Sequence, residues 1–191
     1  PRLLHTRDGR PIHTADARVM LAEIPFVRLR DGLPREALTH GTPFAALVRA
    51  AQQGITPPAL RFDLAQQAVW CGDTLIDLPP SLLAWYAWLA ECRAGGVGDN
   101  GFLRYADASP EGYLAIYGRL VGIHHPNLES ARRKLEGGLE ASLFEQRRSK
   151  INRLLAAALS LAATPYLIQS RGERPFTRYG LTIPPERIAF G

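Results

Sequence analysis

Arg119 and His124 are the residues whose types and spacing come closest to a catalytic pair. Four residues separate Arg119 from His124, and five separate it from His125. An imidazole exchanges protons near neutral pH and a guanidinium holds phosphate, so such a pair could cleave RNA through the ribose 2′-hydroxyl. Similar spacings occur at Arg35 with His40 and at Arg7 with His13. This repetition in an arginine-rich chain favours the alternative, in which the two histidines only cap a helix end.

A second group of candidates is basic and lies in the last quarter of the chain. The stretch RRSKINRLL places Arg147, Arg148, Lys150 and Arg153 directly before an apolar run. Residues 145–191 hold eight basic and three acidic side chains and residues 1–144 hold fifteen of each, so the formal charge of +5 arises in this quarter. A localised basic face is typical of a protein that binds DNA or RNA, although a solvated helix has the same composition.

Other chemistry has little support in the sequence. The chain contains no Walker loop, no nucleophile elbow and no metal-ligand spacing, so we expect neither a cofactor nor a metal. Cys71 and Cys92 lie among apolar neighbours, which predicts buried free thiols. We find no apolar run of membrane length and no signal peptide, which predicts a cytoplasmic protein without a membrane partner.

The elements that must position these residues predict an α+β, mainly helical fold. Residues 17–30 have the pattern of a strand that continues as a sheet edge, and Thr42 with Pro43 opens a helix that ends at Gly54. A hairpin is predicted over residues 60–78, and an aromatic helix follows over residues 81–94. Four of its residues are predicted to lie in the core: Trp85, Tyr86, Trp88 and Leu89.

The second half of the chain contains three more predicted helices and a hairpin. After a loop at residues 98–101, Ser109 with Pro110 starts one helix and Asn127 caps the next. A long helix is predicted over residues 143–163, and residues 166–183 form a hairpin. The hairpin carries Arg171 and Arg174 at its tip and Arg178 on its returning strand.

This order of elements is that of a winged helix-turn-helix module. In such modules the last helix enters the major groove of DNA, and the hairpin lies along the adjacent backbone. Arg147, Lys150 and Arg153 recur every three residues and are predicted to form one basic stripe on the last helix. The stripe predicted to face the core consists of Ile151, Leu154, Leu155, Ala158 and Leu159.

Two stretches resemble the C-terminal half of the CRISPR-associated ring-nuclease family: ARVMLAEIPFVRLR, at residues 17–30, and RRSKINRLL with PYLIQSRGERPFTRYGL, within residues 147–181. The resemblance implies an upstream CARF domain of Rossmann-like fold, which binds cyclic oligoadenylate in type III CRISPR antiviral defence and in ring nucleases cleaves it. We therefore expect residues 1–35 to end that domain, residues 36–57 to form a linker helix, and residues 58–191 to form a winged-helix-like domain with a helical insertion at about 96–140. Since the ligand-binding loops of the CARF domain are not in this sequence, we expect the chain to be inactive on the messenger.

Three functions remain open from the sequence. The first is a winged-helix module of a CARF protein that binds nucleic acid through Arg147, Arg148, Lys150, Arg153, Arg171, Arg174 and Arg178. The second is a HEPN-type ribonuclease, activated by cyclic oligoadenylate, whose catalytic residues are Arg119 and His124. The third is a structural module that forms a homodimer.

Overall fold

The computed structural model describes residues 3–5, 11–13 and 57–191. The predicted strand at residues 17–30 and the predicted helix after Thr42 lie outside these residues. The chain forms two compact units, Pro1–Asp31 and Gly32–Gly191. In the first unit, strands β1 (Leu3–His5) and β2 (Pro11–His13) pair antiparallel as a hairpin, with Leu3 opposite His13.

The second unit begins, in its described part, with a four-stranded sheet. Its strands are β3 (Leu60–Asp63), β4 (Ala68–Cys71), β5 (Thr74–Ile76) and β9 (Ile188–Phe190), in the order β5-β4-β3-β9. The first three form an antiparallel meander where the sequence predicted a hairpin, whereas β9 returns from the end of the chain and pairs parallel with β3. Sequence reasoning did not predict β9.

Helix α1 (Pro80–Ala94) forms the centre of the domain. Proline suits its first position because the amide hydrogen that proline lacks would have no helical partner there. Ten of its fifteen residues are buried, which is the pattern of a helix surrounded by other elements. The predicted core residues are confirmed, because Trp85, Tyr86, Trp88 and Leu89 are all at most 5% exposed.

Four further helices follow α1 among the described residues. They are the short α2 (Val97–Asn100), α3 (Glu111–Val121), α4 (Pro126–Leu135) and α5 (Ala141–Leu159). Helix α3 packs closely on α1 at Gly112, where an added Cβ would lie 2.7 Å from Trp88 Nε1. Any larger residue at this position would therefore force either the Trp88 ring or the helix to shift.

The loop predicted at residues 98–101 agrees with the backbone, since Gly98 and Asp99 have non-helical dihedral angles inside the short α2. Two other sequence predictions about these elements need correction. The N-cap of α4 is His125 and not Asn127, since His125 Nδ1 accepts a hydrogen bond from the Asn127 amide at 3.1 Å. Helix α5 ends at Leu159, where the chain tightens into a 3₁₀ helix (Ser160–Tyr166) that includes Pro165.

A three-stranded sheet closes the domain, with the order β6-β8-β7. Strand β6 (Leu103–Arg104) lies between α2 and α3 in sequence, and β7 (Gln169–Arg171) and β8 (Arg178–Gly180) are the predicted hairpin after α5. The pairing of β6 with β8 was not predicted, since two residues carry no readable hydrophobic period.

One aromatic cluster holds these helices and strands together. The ring of Trp85 lies 5.2 Å from that of Tyr113 and 5.0 Å from that of Phe144, and Phe144 lies 5.0 Å from Tyr179. The cluster therefore joins α1, α3, α5 and β8. Cys71 and Cys92 are buried free thiols, as predicted.

The described part of the chain has an α+β fold with about half of its residues in α- and 3₁₀ helices. None of its helices combines the length and apolar character that a membrane crossing requires.

Candidate nucleic-acid interface

Three arginines lie side by side across the three-stranded sheet. Arg178 of β8 is directly opposite Arg104 of β6 on one side and Arg171 of β7 on the other. Residues paired in this way point to the same face of a sheet. We refer to Arg104, Arg178 and Arg171 as the arginine row.

The arginine row lies on the outer face of the sheet. The adjacent row consists of Leu103, Tyr179 and Ser170, and its members Leu103 and Tyr179 are buried at 7% and 2% exposure. Side chains alternate between the two faces of a strand, so the arginine row faces away from the core. Like charges in directly opposite positions repel one another, which leaves this row suited to an anionic partner.

Only part of this charge is neutralised by the protein. Arg104 forms a bidentate hydrogen-bonded pair with Asp107 at 2.6 and 2.8 Å, and the bond to Arg104 lowers the pKa of Asp107. Arg104 also lies 5.8 Å from the ring of Phe176, a side chain that is 59% exposed in the hairpin loop. Arg171 covers the ring of Phe102 at 3.8 Å. The Phe102 ring is thereby only 2% exposed, so Phe176 is the ring beside the arginine row that is open to stacking on a nucleobase.

Helix α5 presents a second basic surface. Lys150 and Arg153 are exposed and three residues apart, so they lie on one side of the helix. The other exposed residues between Gln146 and Ala157 are neutral: Gln146, Ser149, Ala156 and Ala157. A stripe of small and neutral residues around two cations can approach a polyanion closely, because no carboxylate repels it.

Polar contacts hold the hairpin against α5. The Asn152 side-chain amide donates to the carbonyl of Ile168 at 3.0 Å and accepts from its amide at 2.9 Å. Arg148 donates to Ser170 Oγ at 2.6 Å and forms a 3.0 Å ion pair with Glu145. The helix and the hairpin therefore have a fixed relation to each other.

Glu145 also accepts a 2.7 Å hydrogen bond from the hydroxyl of Tyr179 on β8. Burial, with a further contribution from this hydrogen bond, raises the pKa of Tyr179 to about 12. The hydroxyl is consequently protonated at neutral pH and acts as the donor. Arg148 therefore has a structural role at this contact, because its side chain binds both Glu145 and Ser170.

Arg147 departs from the predicted stripe. It points away from Lys150 and Arg153, because its Nη1 donates to Ser81 Oγ at 3.1 Å and its guanidinium carbon lies 5.9 Å from the Trp85 ring. The apolar stripe also needs one correction: Ile151, Leu155 and Leu159 are buried and Leu154 is half-buried, but Ala158 is exposed. Position 158 lies roughly 20° from position 151 around the helix, so the exposure of Ala158 reflects the lack of a covering neighbour and not its angle.

Arg174 and Arg178 lie where the sequence placed them, in the hairpin loop and on the returning strand. Arg174 is exposed, and Arg178 is half-buried. Arg104 was missed as a candidate. Its only sequence signal is the nearby Asp107, and the row becomes visible once β6 pairs with β8.

The ribonuclease candidates lie near the end of α3. Arg119 is exposed in the last turn of that helix. Burial raises the pKa of Glu91 on α1, and the positive charge of Arg119 partly opposes this rise. His124 is exposed in the following loop, and His125 caps α4. Of the two similar pairs, His13 lies in β2, and Arg7, Arg35 and His40 lie outside the described residues. A catalytic role for Arg119 and His124 stays a prediction, which loss of RNA cleavage in His124→Ala would support.

The described residues contain no group of three or more histidine, cysteine or acidic side chains placed to hold a metal ion. No protein-family model, curated protein or solved structure matches this chain.

Proposed function

We propose that residues 58–191 form a winged-helix module that binds nucleic acid through the hairpin and the exposed stripe of α5. The observation that carries the proposal is the arginine row on the outer face of the β6-β8-β7 sheet. In a winged helix a strand after the first helix pairs with the hairpin that follows the last helix, which matches the order found here.

The fixed geometry of helix and hairpin supports this function. Two surfaces that contact one polyanion gain most when their spacing is set in advance, because less ordering accompanies binding. The contacts of Asn152 with Ile168 and of Arg148 with Ser170 set that spacing. Lys150 and Arg153 then contact phosphates from the helix, and Arg171, Arg174 and Arg178 contact them from the hairpin.

The test is fluorescence anisotropy with labelled duplex DNA and, in a second arm, labelled single-stranded RNA over a salt series. Each phosphate contact contributes roughly 0.9 to the slope of log affinity against log salt on duplex DNA, so five contacts give a slope of about −4 to −5. Changing Lys150 and Arg153 together to Gln should reduce the slope by about 2, and changing Arg171 and Arg178 should do the same.

The matched control changes Arg133 and Arg187 to Gln. Both are exposed arginines outside the proposed surface, so the control removes the same charge. Equal losses in the control and in the two test variants would mean that only net charge matters. That result, or no binding to either nucleic acid at low salt, would overturn the proposal. Tighter binding of one nucleic acid identifies the target class.

We further propose, from the resemblance at residues 17–30 and 147–181 alone, that this module belongs to a CARF protein of type III CRISPR defence. On this proposal cyclic oligoadenylate binds a domain upstream of the module. A longer product of the same reading frame should bind the messenger, whereas the 191-residue chain should neither bind nor cleave it. Absence of messenger binding by the longer protein would refute the assignment.

A further inference from the structure

A cavity of about 570 Å³ opens beside α5, on the side away from the hairpin. It lies between α3, α4 and α5, and Ser81 at the start of α1 also lines it. Its volume is within the range of sites that hold small molecules, about 300–1,000 Å³. The arginine row and the exposed stripe of α5, apart from Gln146, do not contribute to it.

Arg147 enters the wall of this cavity. One end of its guanidinium is held by Ser81, and its carbon lies 6.0 Å from the ring of Tyr113. Its Nε atom is buried and has no hydrogen-bond partner among the described residues. A guanidinium presents a planar set of donors that matches a carboxylate or a phosphate, and here the Nε–H donor lacks an acceptor among the described residues.

Tyr113 supplies a second donor without a partner in the same wall. The side chain is 1% exposed, and its hydroxyl makes no hydrogen bond to any residue that the structure describes. Burial raises the pKa of Tyr113, although Arg147 opposes the shift, so the hydroxyl is protonated at neutral pH. Both atoms have almost no solvent-accessible surface and lack a partner, which is costly for buried polar groups, and an anion that reaches this wall would relieve both.

The rest of the lining indicates the kind of partner. Lys134 adds a second positive charge, whereas the one acidic group of the lining, Glu140, accepts a 3.1 Å hydrogen bond from Ser142. Ala131 and Leu143 supply an apolar side. The cavity thus has an excess of positive charge at one part and an apolar surface at another.

We propose that this cavity binds a small organic anion whose carboxylate or phosphate group is held by Arg147 and Tyr113. Its apolar body lies against Ala131 and Leu143, and Lys134 contributes long-range attraction. The inference is independent of nucleic-acid binding, because the residues that hold the anion lie outside the proposed nucleic-acid surface.

The experiment is a titration of the 191-residue chain with three probes, followed by NMR. Benzoate tests a carboxylate, phenyl phosphate tests a phosphate, and benzyl alcohol is the neutral control of similar shape. At least one anion should bind with a Kd of about 1 mM, as expected for so small a ligand, and should shift the Nε–H resonance of Arg147. Benzyl alcohol should bind at least about tenfold more weakly, since it lacks the charge.

Two variants locate the anion. Tyr113→Phe removes only the hydroxyl, and Arg147→Gln removes the guanidinium, so each should weaken anion binding about tenfold or more. Arg148→Gln is the matched control, because the adjacent arginine points to the hairpin and should leave the Kd unchanged. If Arg147→Gln fails to fold, Tyr113→Phe and Lys134→Gln decide, the latter with a loss of roughly twofold to fivefold.

Three outcomes would overturn the proposal. They are no binding of either anion to the wild-type chain, equal binding of benzyl alcohol, and unchanged anion affinity in a folded Tyr113→Phe variant. The first would mean that only water occupies the cavity. Preference between benzoate and phenyl phosphate identifies which oxyanion the site takes.

Discussion

Arg147 and Arg148 are neighbours in sequence, yet they serve opposite flanks of α5. Arg147 contacts Ser81 and the aromatic rings of α1 and α3, beside a cavity, whereas Arg148 contacts Glu145 and Ser170 at the hairpin. We call these the inner flank and the hairpin flank. Since the two residues carry the same charge, this difference shows that the position of a residue around a helix decides what it contacts. Each residue along a helix turns by 100°, so adjacent side chains face different neighbours.

We expect the largest loss of stability from a change at Phe144, because this residue packs towards both flanks. Phe144 packs on Trp85 towards the inner flank and on Tyr179 towards the hairpin. Phe144→Ala should lower the free energy of unfolding by about 3–5 kcal/mol, because it leaves a cavity in the core. Urea denaturation measures this, with Phe176→Ala as a control that should change stability by less than about 0.5 kcal/mol, since Phe176 is exposed. Similar losses in the two variants would contradict the packing described here.

A smaller effect should separate the two flanks. Asn152→Ala removes both hydrogen bonds to the backbone of Ile168 and leaves that amide and carbonyl unpaired. We expect a loss of about 1–3 kcal/mol, with faster hydrogen exchange in β7 and β8 than in α3. Asn152→Asp is the matched variant, since it retains an acceptor for the Ile168 amide. Equal acceleration in α3 and the hairpin would mean that the contact does not act on the hairpin flank alone.

The smallest effect depends on pH and tests the hairpin flank by itself. The pKa of Tyr179 is raised to about 12, whereas an unfolded tyrosine titrates near 10. The folded state favours the protonated hydroxyl, so this stabilisation is complete below pH of about 10 and is lost as the pH rises towards 12. The stability difference between the wild type and Tyr179→Phe should therefore shrink by roughly 1–2 kcal/mol over that interval.

Unfolding experiments at a series of pH values between about 9 and 11.5 would record this change. Tyr86 and Tyr166 also have raised pKa values, so both proteins lose stability at high pH, and only their difference reports on Tyr179. A difference that does not vary with pH would show that Tyr179 titrates alike in the folded and unfolded states.

The strong hydrophobic patterns were predicted from the sequence. A hairpin over residues 60–78, where the structure has β3, β4 and β5, and the hairpin at β7 and β8 were expected, and helices α1, α3, α4 and α5 were placed within a few residues. In these segments the order of apolar and turn residues specifies the local structure. Strands β6 and β9 were missed because each is two or three residues long and forms only through a partner distant in sequence.

The candidate site was predicted only in part. The concentration of positive charge after residue 144 is a property of the sequence, and Lys150, Arg153, Arg171 and Arg174 are exposed as expected. Arg104 was not a candidate, because it comes next to Arg178 only through pairing of strands 74 residues apart in sequence. Arg147 was assigned to a stripe by its spacing, which does not reveal what packs on each side of a helix.

The sequence by itself determined the helices, the hairpins and the location of the charge, since these follow from local periodicity and composition. Only the tertiary structure decided which arginines form a row across a sheet and which one lines a cavity. The physical reason is that both arrangements depend on contacts between segments far apart in the chain. Such contacts follow from the packing of α1, α3, α5 and β8 around Trp85 and Phe144, which no short stretch of sequence contains.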